Sequence, residues 1–432
     1  MRVKLAYGRT GLEVVLPDSR TTVIEPPYLP EVDDPAATLR AALREPVHGP
    51  PLRDLVRPGQ TVAITMCDGT RPQPRDLMIP AVLAELAGTV SLCDVTIVVA
   101  TGTHRGNTRA ELAQMLGEEL AASIRVVNHD ARDPEQLVWM GQHGQGVPVW
   151  LNRHWVEADL RITTGYVEPH VFAGFSGGPK MVVPGLTGLD TALTLHSADR
   201  IADPQATWGV CKGNPVYDDI RAVAAAVGNV DFSLDVLLNR DHQIVTAFGG
   251  SLFHMHSEAR HAARELAMRP VRGEFDIVLT SNAGYPMDQN LYQCSKGLSA
   301  AAAIVKPGGT IICAAECRDG FPDHGDYRRI LTSATSPQDL LADIESRRPA
   351  IADQWQVQVL AKVLIKARVI MRTDYLGEAD LAKAHLEYTD NLTGTVESLL
   401  AEYGPDARIC VLPTGPQTIP YVVGRRRSSS DR

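Results

Sequence analysis

The sequence predicts an α/β protein of two domains, in which mostly parallel sheets are flanked by helices. The chain has 432 residues, whereas a single hydrophobic core usually stops growing at about 250–300 residues. Aromatic residues make up only 5% of the chain, so the core must consist of Val, Leu, Ile and Ala. Short β-branched runs alternate with helical patterns, which is typical of parallel sheets covered on both faces.

The predicted elements also suggest where the domains meet. Buried strands are predicted at residues 61–65, 95–99, 159–164, 275–280, 310–314 and 409–412. Helical patterns include residues 74–86, 108–116 and 251–267. Because a fresh strand follows the last of these helices, we predict an N-terminal domain of residues 1–270, a C-terminal domain of residues 271–423 and a disordered tail at residues 424–432.

Charge and cysteine usage exclude several classes of protein. The formal net charge is −9, which argues against a nucleic-acid binder because such proteins need a basic face. The seven cysteines are scattered and form no CxxC pair, so neither a disulfide framework nor a zinc ribbon is predicted. No apolar signal core opens the sequence, and no apolar run approaches the ~20 residues that span a bilayer. We expect a cytoplasmic protein that binds neither nucleic acid nor a membrane.

Polar side chains follow the first two predicted strands, at the edge where parallel sheets bind ligands. Asp68, Thr70 and Arg71 follow the first strand, and the guanidinium of Arg71 suits a carboxylate or a phosphate. An Asx-type turn in which Asp68 caps the next helix is an equally good interpretation. His104 follows the second strand, although a single loop histidine is more often only a hydrogen-bonded surface residue.

The segment richest in chemistry, residues 168–180, follows the third predicted strand. It contains His170, a glycine-rich turn at residues 176–178 and Lys180. Backbone N–H groups of such a turn can bind an anion, and Lys180 adds a charge or, when desolvated, a nucleophilic amine. The spacing is not the Walker pattern, because Met181 follows the lysine. The alternative is a tight glycine turn beside an exposed lysine.

The chain after Lys180 offers weaker signals. Gln293 and Lys296 share one face of a predicted helix and could bind one carboxylate, although a polar first turn explains them equally well. Trp355 is either an aromatic anchor of its helix or a cover for a flat ligand. His196 closes a helical stretch, and without HExxH or EF-hand spacing these residues alone predict no metal.

Taken together, these segments resemble the lactate racemase family, whose members use a nickel-pincer nucleotide. Five segments agree in order and rough spacing over most of the chain, which is far more specific than any one of them. The matching pieces are Asp68-Gly69-Thr70-Arg71, Thr101-Gly102-Thr103-His104, Glu168-Pro169-His170 with Ser176-Gly177-Gly178-Pro179-Lys180, His196, and Asp288-Gln289-Asn290-Leu291-Tyr292-Gln293-Cys294-Ser295-Lys296.

The resemblance implies a role for each matching residue. Lys180 would form a thioamide to a pyridinium mononucleotide that holds nickel through carbon and sulfur, and His196 would be the protein ligand of the nickel. His104 and His170 match two general acid/base histidines. Further contacts are implied for the cofactor from Asp68, Thr70, Ser176, Gly177, Gly178 and Trp355, and for the substrate from Arg71, Phe172, Tyr292, Gln293 and Lys296.

The implied activity is racemisation or epimerisation of a small 2-hydroxy acid. The C–H proton of such an acid is very weakly acidic, so the family transfers hydride to the cofactor and back to the other face, while a base takes the hydroxyl proton. A histidine with a pKa of about 6.5 can accept and return that proton at neutral pH. Phe172 is bulky and is expected to face the substrate, so lactate is only one candidate.

Two other classes of function stay open on the sequence. One is a 2-hydroxy acid dehydrogenase or lyase that uses the same site without racemising, and the other is a non-catalytic nucleotide-binding protein. For the leading hypothesis we expect an active site in the cleft between the two domains, and cofactor-biosynthesis proteins as partners.

Overall fold

The computed structural model describes residues 1–322 and 325–423, which form two compact units. The N-terminal unit comprises Tyr28–Leu195 and Gln205–Glu265. The C-terminal unit comprises Met1–Pro27, His196–Pro204 and the chain from Leu266 onward. This division differs from an unbroken domain of residues 1–270, because residues 1–27 and 196–204 join the C-terminal unit. The predicted tail at residues 424–432 lies outside the described residues.

The strands follow the predicted runs and extend some of them. For example, the strand predicted at residues 61–65 continues to Cys67, so Asp68 follows its end directly. The strands are β1 (Arg2–Leu5), β2 (Leu12–Val15), β3 (Thr21–Val23), β4 (Val62–Cys67), β5 (Val95–Ala100), β6 (Arg125–Asn128), β7 (Leu137–His143), β8 (Val147–Asn152), β9 (Leu160–Tyr166), β10 (Pro169–His170), β11 (Gly174–Phe175), β12 (Phe232–Leu238), β13 (Ile244–Gly250), β14 (Met268–Val271), β15 (Phe275–Ser281), β16 (Val305–Ala314), β17 (Arg368–Arg372), β18 (Glu387–Tyr388), β19 (Ile409–Leu412) and β20 (Ile419–Val422).

Several helices begin at side chains that accept hydrogen bonds from the first turn. Asn214 accepts from the backbone of Val216 and Tyr217, and Asn290 accepts from the backbone of Gln293. The helices are α1 (Pro35–Arg44), α2 (Leu52–Leu55), α3 (Arg75–Leu86), α4 (Arg109–Leu116), α5 (Glu118–Ser123), α6 (Arg153–Val156), α7 (Leu189–Leu195), α8 (Ala198–Ala202), α9 (Pro215–Val227), α10 (Leu252–Ala267), α11 (Leu291–Ala302), α12 (Tyr327–Leu331), α13 (Pro337–Ser346), α14 (Gln354–Lys366), α15 (Glu378–Lys383) and α16 (Leu392–Tyr403).

The main sheet of the N-terminal unit has the strand order β13-β12-β9-β4-β5-β6. Only the β12–β13 pair is antiparallel, and the other neighbours are parallel. Every residue of β4 is buried, as expected for a central strand of a parallel sheet. The chain order reverses between β4 and β9, and at such a switch point the loops after the two strands open a crevice for a ligand.

The main sheet of the C-terminal unit has the order β18-β17-β16-β15-β19-β3 and is parallel throughout. Its order reverses between β15 and β19. The β1–β2 hairpin belongs to this unit because Val3, Leu5 and Leu16 are buried in one cluster with Ile277 and Leu279 of β15. Burial of this apolar hairpin explains why residues 1–27 do not fold with the segment that follows them.

Two expectations from composition concern the whole of the described chain. All seven cysteines lie within it and are free thiols. Within residues 1–322 and 325–423, none of the helices combines the length and the apolar character that crossing a membrane requires.

Candidate active site

The loop after β4 holds a buried aspartate against a histidine. Asp68 is 3% exposed, and its Oδ2 lies 2.7 Å from Nδ1 of His104. Its Oδ1 accepts hydrogen bonds from the backbone N–H and the hydroxyl of Thr70, at 2.8 and 2.5 Å. Burial alone would raise the pKa of Asp68, but the hydrogen bond from His104 and the charge of Arg71 hold it well below its usual range. The carboxylate is therefore ionised and orients His104.

This contact determines which nitrogen of His104 is available. An ionised carboxylate only accepts hydrogen bonds, so Nδ1 carries a hydrogen and Nε2 carries the lone pair of the neutral ring. The side chain of His104 is 37% exposed, which leaves the ring accessible. Asp68 and Thr70 bond to each other, and Asp68 also bonds to His104, while their expected contacts with the cofactor stay a prediction.

The shape of this loop is fixed by Arg75, a buried residue outside the predicted site. Helix α3 begins at Arg75 without a side-chain cap, so Asp68 forms an Asx-type turn with Thr70 but does not cap the helix. The guanidinium of Arg75 donates to the backbone carbonyl groups of Cys67, Asp68, Arg71 and Gln73.

Arg71 and Lys180 are neighbouring cations with different protonation behaviour. Burial alone would lower the pKa of Arg71, but Tyr166, Asp68 and Glu168 nearby raise it by more than burial lowers it. The guanidinium therefore stays charged. For Lys180, burial and then the charge of Arg71 lower the pKa to about 7. A large fraction of the amine is therefore neutral at pH 7 and able to act as a nucleophile. The alternative of an exposed surface lysine is wrong.

The glycine-rich turn is held from behind by two buried side chains. Oδ2 of Asp235, on β12, accepts a hydrogen bond from the backbone N–H of Gly178 at 2.7 Å. Nε2 of His256, on α10, lies 2.9 Å from the carbonyl oxygen of Ser176 and donates to it. Gly177 and Gly178 have φ of 70° and 49°, and a Cβ on Gly178 would lie 2.4 Å from Cγ of His256. Both conformation and space therefore require glycine here.

Burial shifts the pKa values of these two supporting side chains in opposite directions, because one is an acid and the other a base. Burial raises the pKa of Asp235 to about 7, against the opposing hydrogen bond from Gly178. Burial, with a smaller effect from the charge of Arg260, lowers the pKa of His256 to about 3. His256 is therefore neutral at physiological pH, whereas Asp235 titrates close to it.

Several backbone donors of the expected phosphate-binding turn bond within the protein. The backbone N–H groups of Ser176, Gly178 and Lys180 all donate to acceptors within the protein. The hydroxyl of Ser176 donates to the carbonyl of Tyr166 at 3.0 Å. These bonds fix the shape of the turn that precedes Lys180, and anion binding by the turn stays a prediction.

His170 lies in the short β10–β11 hairpin of the same loop. Backbone N–H groups face its Nδ1, that of Ala173 at 3.2 Å and that of Phe172 at 3.5 Å. Nδ1 is therefore the acceptor, and Nε2 carries the hydrogen of the neutral ring. The ring of Phe172 packs edge-on against His170 with centroids 4.7 Å apart, and its carbonyl accepts from Asn214 at 2.9 Å.

The other predicted residues belong to the C-terminal unit. Tyr292, Gln293 and Lys296 lie on the first turns of α11, which starts near the β15–β19 switch point. Oε1 of Gln293 is buried without a hydrogen-bond partner in the described part of the chain, so it can accept one from a ligand. The rings of His196 and Trp355 are 4.7 Å apart. Trp355 thus contacts the residue implied as the nickel ligand.

Four of the predicted site residues interact with one another at the β4–β9 switch point. They are Asp68, Arg71, His104 and Lys180. Among the described residues, no three or more His, Cys, Asp or Glu side chains are grouped so that they could hold a metal ion. A metal bound to a single protein side chain would need its remaining ligands from a non-protein group.

Sequence reasoning missed the residues behind this site. Asp235 interrupts the apolar strand FSLDVLL. A carboxylate within such an apolar run is unusual, so it could have indicated a functional residue. His256 lies in an amphipathic helix with several other polar residues, so no comparable signal existed. Arg75 resembled an ordinary residue of a first helical turn.

Comparison with known proteins identifies the class. Residues 7–209 match the family described as "Lactate racemase N-terminal domain", and residues 272–419 match "Lactate racemase C-terminal domain". A protein named lactate racemase from Thermoanaerobacterium thermosaccharolyticum is 35% identical over 423 residues, which are 96% of this chain and 98% of that protein. Another of the same name, from Lactiplantibacillus plantarum, is 34% identical over 380 residues, 88% of this chain and 89% of that protein.

The fold agrees with these matches. The solved structure of the lactate racemase apoprotein from Thermoanaerobacterium thermosaccharolyticum has a TM-score of 0.91 and 34% identity, covering 97% of this chain and 100% of that one. Fold and relatives together define an isomerase. The chain belongs to the lactate racemase family.

Proposed function

We propose that this chain racemises a small 2-hydroxy acid, with lactate as the first substrate to test. Its relatives carry the name lactate racemase. The observation that carries the proposal is the Asp68–His104 pair near Arg71, together with the partly neutral amine of Lys180 beside the same guanidinium. This arrangement combines an oriented base, a cation that suits a carboxylate, and a nucleophile that can anchor a cofactor.

The residues fit the nickel-pincer nucleotide of the family in two respects. Lys180 presents a desolvated amine of the kind that can be attached covalently. His196, packed against Trp355, can supply one imidazole to a metal whose other ligands are not protein side chains. When bound, the group would supply the acceptor for the hydride that leaves the substrate carbon.

The two histidines are proposed to move the hydroxyl proton. Nε2 of His104 accepts it from one enantiomer, and Asp68 stabilises the resulting imidazolium, as a carboxylate does in hydrolase triads. His170 is proposed to serve the other enantiomer, whose hydroxyl lies on the opposite side of the inverted carbon. To accept that proton at Nε2, the neutral ring must carry its hydrogen on Nδ1 and give up the bond from the backbone of Ala173. Both directions of turnover then need both histidines, because one takes the proton and the other returns it.

Substrate binding is proposed to use groups whose chemistry matches a 2-hydroxy acid. The planar guanidinium of Arg71 would bind the carboxylate, with Tyr292 and Lys296 as further contacts. Gln293 would accept a hydrogen bond from the hydroxyl at its unpartnered Oε1. Phe172 is 5% exposed and packs against His170, so it would limit the size of the substrate side chain.

The proposal is tested with protein produced together with the cofactor-biosynthesis proteins. The loaded enzyme is incubated with pure L-lactate or pure D-lactate, and both enantiomers are quantified by chiral chromatography. A racemase gives equal amounts of both from either start, with total lactate unchanged. Consumption of lactate without formation of its mirror image would instead identify a dehydrogenase or lyase.

A further inference from the structure

The segment at residues 196–204 is bound by one stripe of helix α14. Trp355, Gln358 and Lys362 are three and four residues apart, so they lie on the same face of the helix. All three contact this segment. Because the segment begins with His196, the stripe contacts the stretch of backbone that presents the implied nickel ligand.

Two members of the stripe hold the backbone of this segment directly. Nε2 of Gln358 donates to the carbonyl oxygen of Ala198 at 2.9 Å. Nζ of Lys362 donates to the carbonyl oxygen of Ile201 at 3.1 Å, which is among the last carbonyl groups of the five-residue helix α8. Such terminal carbonyl groups lack partners within their own helix, so a side chain from α14 satisfies them.

Folding stability does not account for a glutamine at position 358. Gln358 is fully buried, and its Oε1 has no hydrogen-bond partner in the described residues. Its neighbours Val357, Val359 and Leu360 are apolar and also buried. An unsatisfied buried oxygen costs free energy that an apolar side chain of similar length would not incur. The benefit that the structure does show is the bond from Nε2 to Ala198.

We infer that Gln358 is a positioning residue for His196. The inference rests on the proposed function, in which His196 is the protein ligand of nickel. Holding the carbonyl of Ala198, two residues after His196, restricts the backbone from which the imidazole projects, while Trp355 restricts the ring itself. Groups that orient a metal ligand in this way strengthen metal binding without touching the metal.

The test compares Gln358→Met with Lys366→Met. Methionine keeps the length of glutamine, is one atom shorter than lysine, and removes the hydrogen-bond donor of either side chain. Lys366 is the matched control because it lies on the same helix and donates to the carbonyl of Ala302, at 2.6 Å, rather than to the segment of His196. Nickel release from the loaded proteins is followed in excess chelator, with thermal unfolding and the mass of the Lys180 peptide measured on the same samples.

We expect Gln358→Met to release nickel about 10-fold faster than the wild type. Its Tm is expected to be unchanged or higher, and its Lys180 peptide to carry the same adduct. Lys366→Met is expected to release nickel at the wild-type rate. Equal release from Gln358→Met and the wild type would overturn the inference, as would equal acceleration in Gln358→Met and Lys366→Met.

Lys362→Met provides a second variant should Gln358→Met fold poorly. It removes the bond to Ile201 at the far end of the segment, so its release rate should lie between those of the wild type and Gln358→Met. A wild-type rate in a folded, loaded Lys362→Met would then count against the inference. Wild-type protein that lacks both nickel and an adduct on Lys180 would reject the proposed function itself, which is a separate outcome.

Discussion

His104 and His170 follow different strands of one sheet, and each ring is held at Nδ1 by a different kind of group. At His104 the partner is the ionised carboxylate of Asp68, 2.7 Å away. At His170 the partners are two backbone N–H groups, at 3.2 and 3.5 Å. Nε2 of the neutral His104 is therefore an acceptor, whereas Nε2 of the neutral His170 is a donor.

Under the proposed function, the neutral His104 ring can accept the hydroxyl proton of one enantiomer as it stands, whereas the His170 ring can accept one at Nε2 only after the hydrogen there has been lost or moved to Nδ1. The carboxylate partner belongs to a side chain and can be changed by mutation, whereas the partners of His170 belong to the backbone. The two loops can therefore be perturbed separately.

The largest expected effect comes from removing either ring. His104→Ala and His170→Ala should each lower kcat by roughly 100- to 10,000-fold in both directions, because each turnover uses both rings. Initial rates from each pure enantiomer check this, and the mass of the Lys180 peptide confirms that both variants are loaded. A variant that keeps the wild-type rate would exclude its loop from the reaction. Full activity in both would show that neither histidine moves the hydroxyl proton.

The next effect concerns the carboxylate that distinguishes the two loops. Asp68→Asn keeps the shape of the side chain but no longer fixes a hydrogen on Nδ1 of His104, so kcat should fall by about 100-fold. Thr70→Val is the control, since it removes one bond to Asp68 and leaves the carboxylate in place. If both variants have the same kcat, the carboxylate does not set the role of His104.

The next prediction concerns the stability of the protein and its dependence on pH. Asp235 accepts a hydrogen bond from Gly178, in the glycine-rich turn of the loop that contains His170. Because burial raises the pKa of Asp235 from 3.8 to about 7, the folded state keeps a proton that the unfolded state has lost between these values. The free energy of unfolding therefore falls as the pH rises through this window, by on the order of 4 kcal/mol.

Asparagine at position 235 can still accept from Gly178 but cannot ionise. Asp235→Asn should therefore match the wild type near pH 4 and be more stable above pH 7, as measured by denaturant unfolding across this range. A constant difference at every pH would show that the carboxyl group does not titrate in this window.

The smallest effect should come from the aromatic ring beside His170. Phe172→Leu should raise kcat/KM for a 2-hydroxy acid with a longer side chain by about 10-fold relative to lactate, because removing ring volume enlarges the pocket. The ratio of the two substrates within each enzyme is the measurement, so loading differences cancel. An unchanged ratio would place Phe172 away from the substrate side chain.

Local pattern predicted half of the strands in the two main sheets but not the exchange of segments between units. The strand at Ile409–Leu412 matches its prediction, and the helix at Leu252–Ala267 begins one residue later than expected. That residues 1–27 and 196–204 belong to the other compact unit could not be predicted, because their partners are distant in sequence. Nothing in a five-residue helix such as α8 indicates that Ala198 will be buried with Leu298 and Leu360.

In the candidate site, too, the positions of residues could be predicted, whereas the contacts between them could not. The positions of His104, His170 and Lys180 after strands were predictable, because ligand sites lie at the carboxyl ends of parallel strands. The pairing of Asp68 with His104 was not, since it joins loops 36 residues apart that meet only in the folded sheet. The internal bonds of the turn at residues 176–178 could not be predicted either, because glycine spacing does not show that Asp235 accepts from Gly178.

The central claim is that Lys180 anchors a cofactor beside these two loops. The most direct measurement is mass spectrometry of the peptide containing Lys180, taken from protein that racemises lactate in the same preparation. The account predicts an added mass on Lys180 and loss of both adduct and activity in Lys180→Ala. An unmodified Lys180 peptide from fully active protein would contradict it.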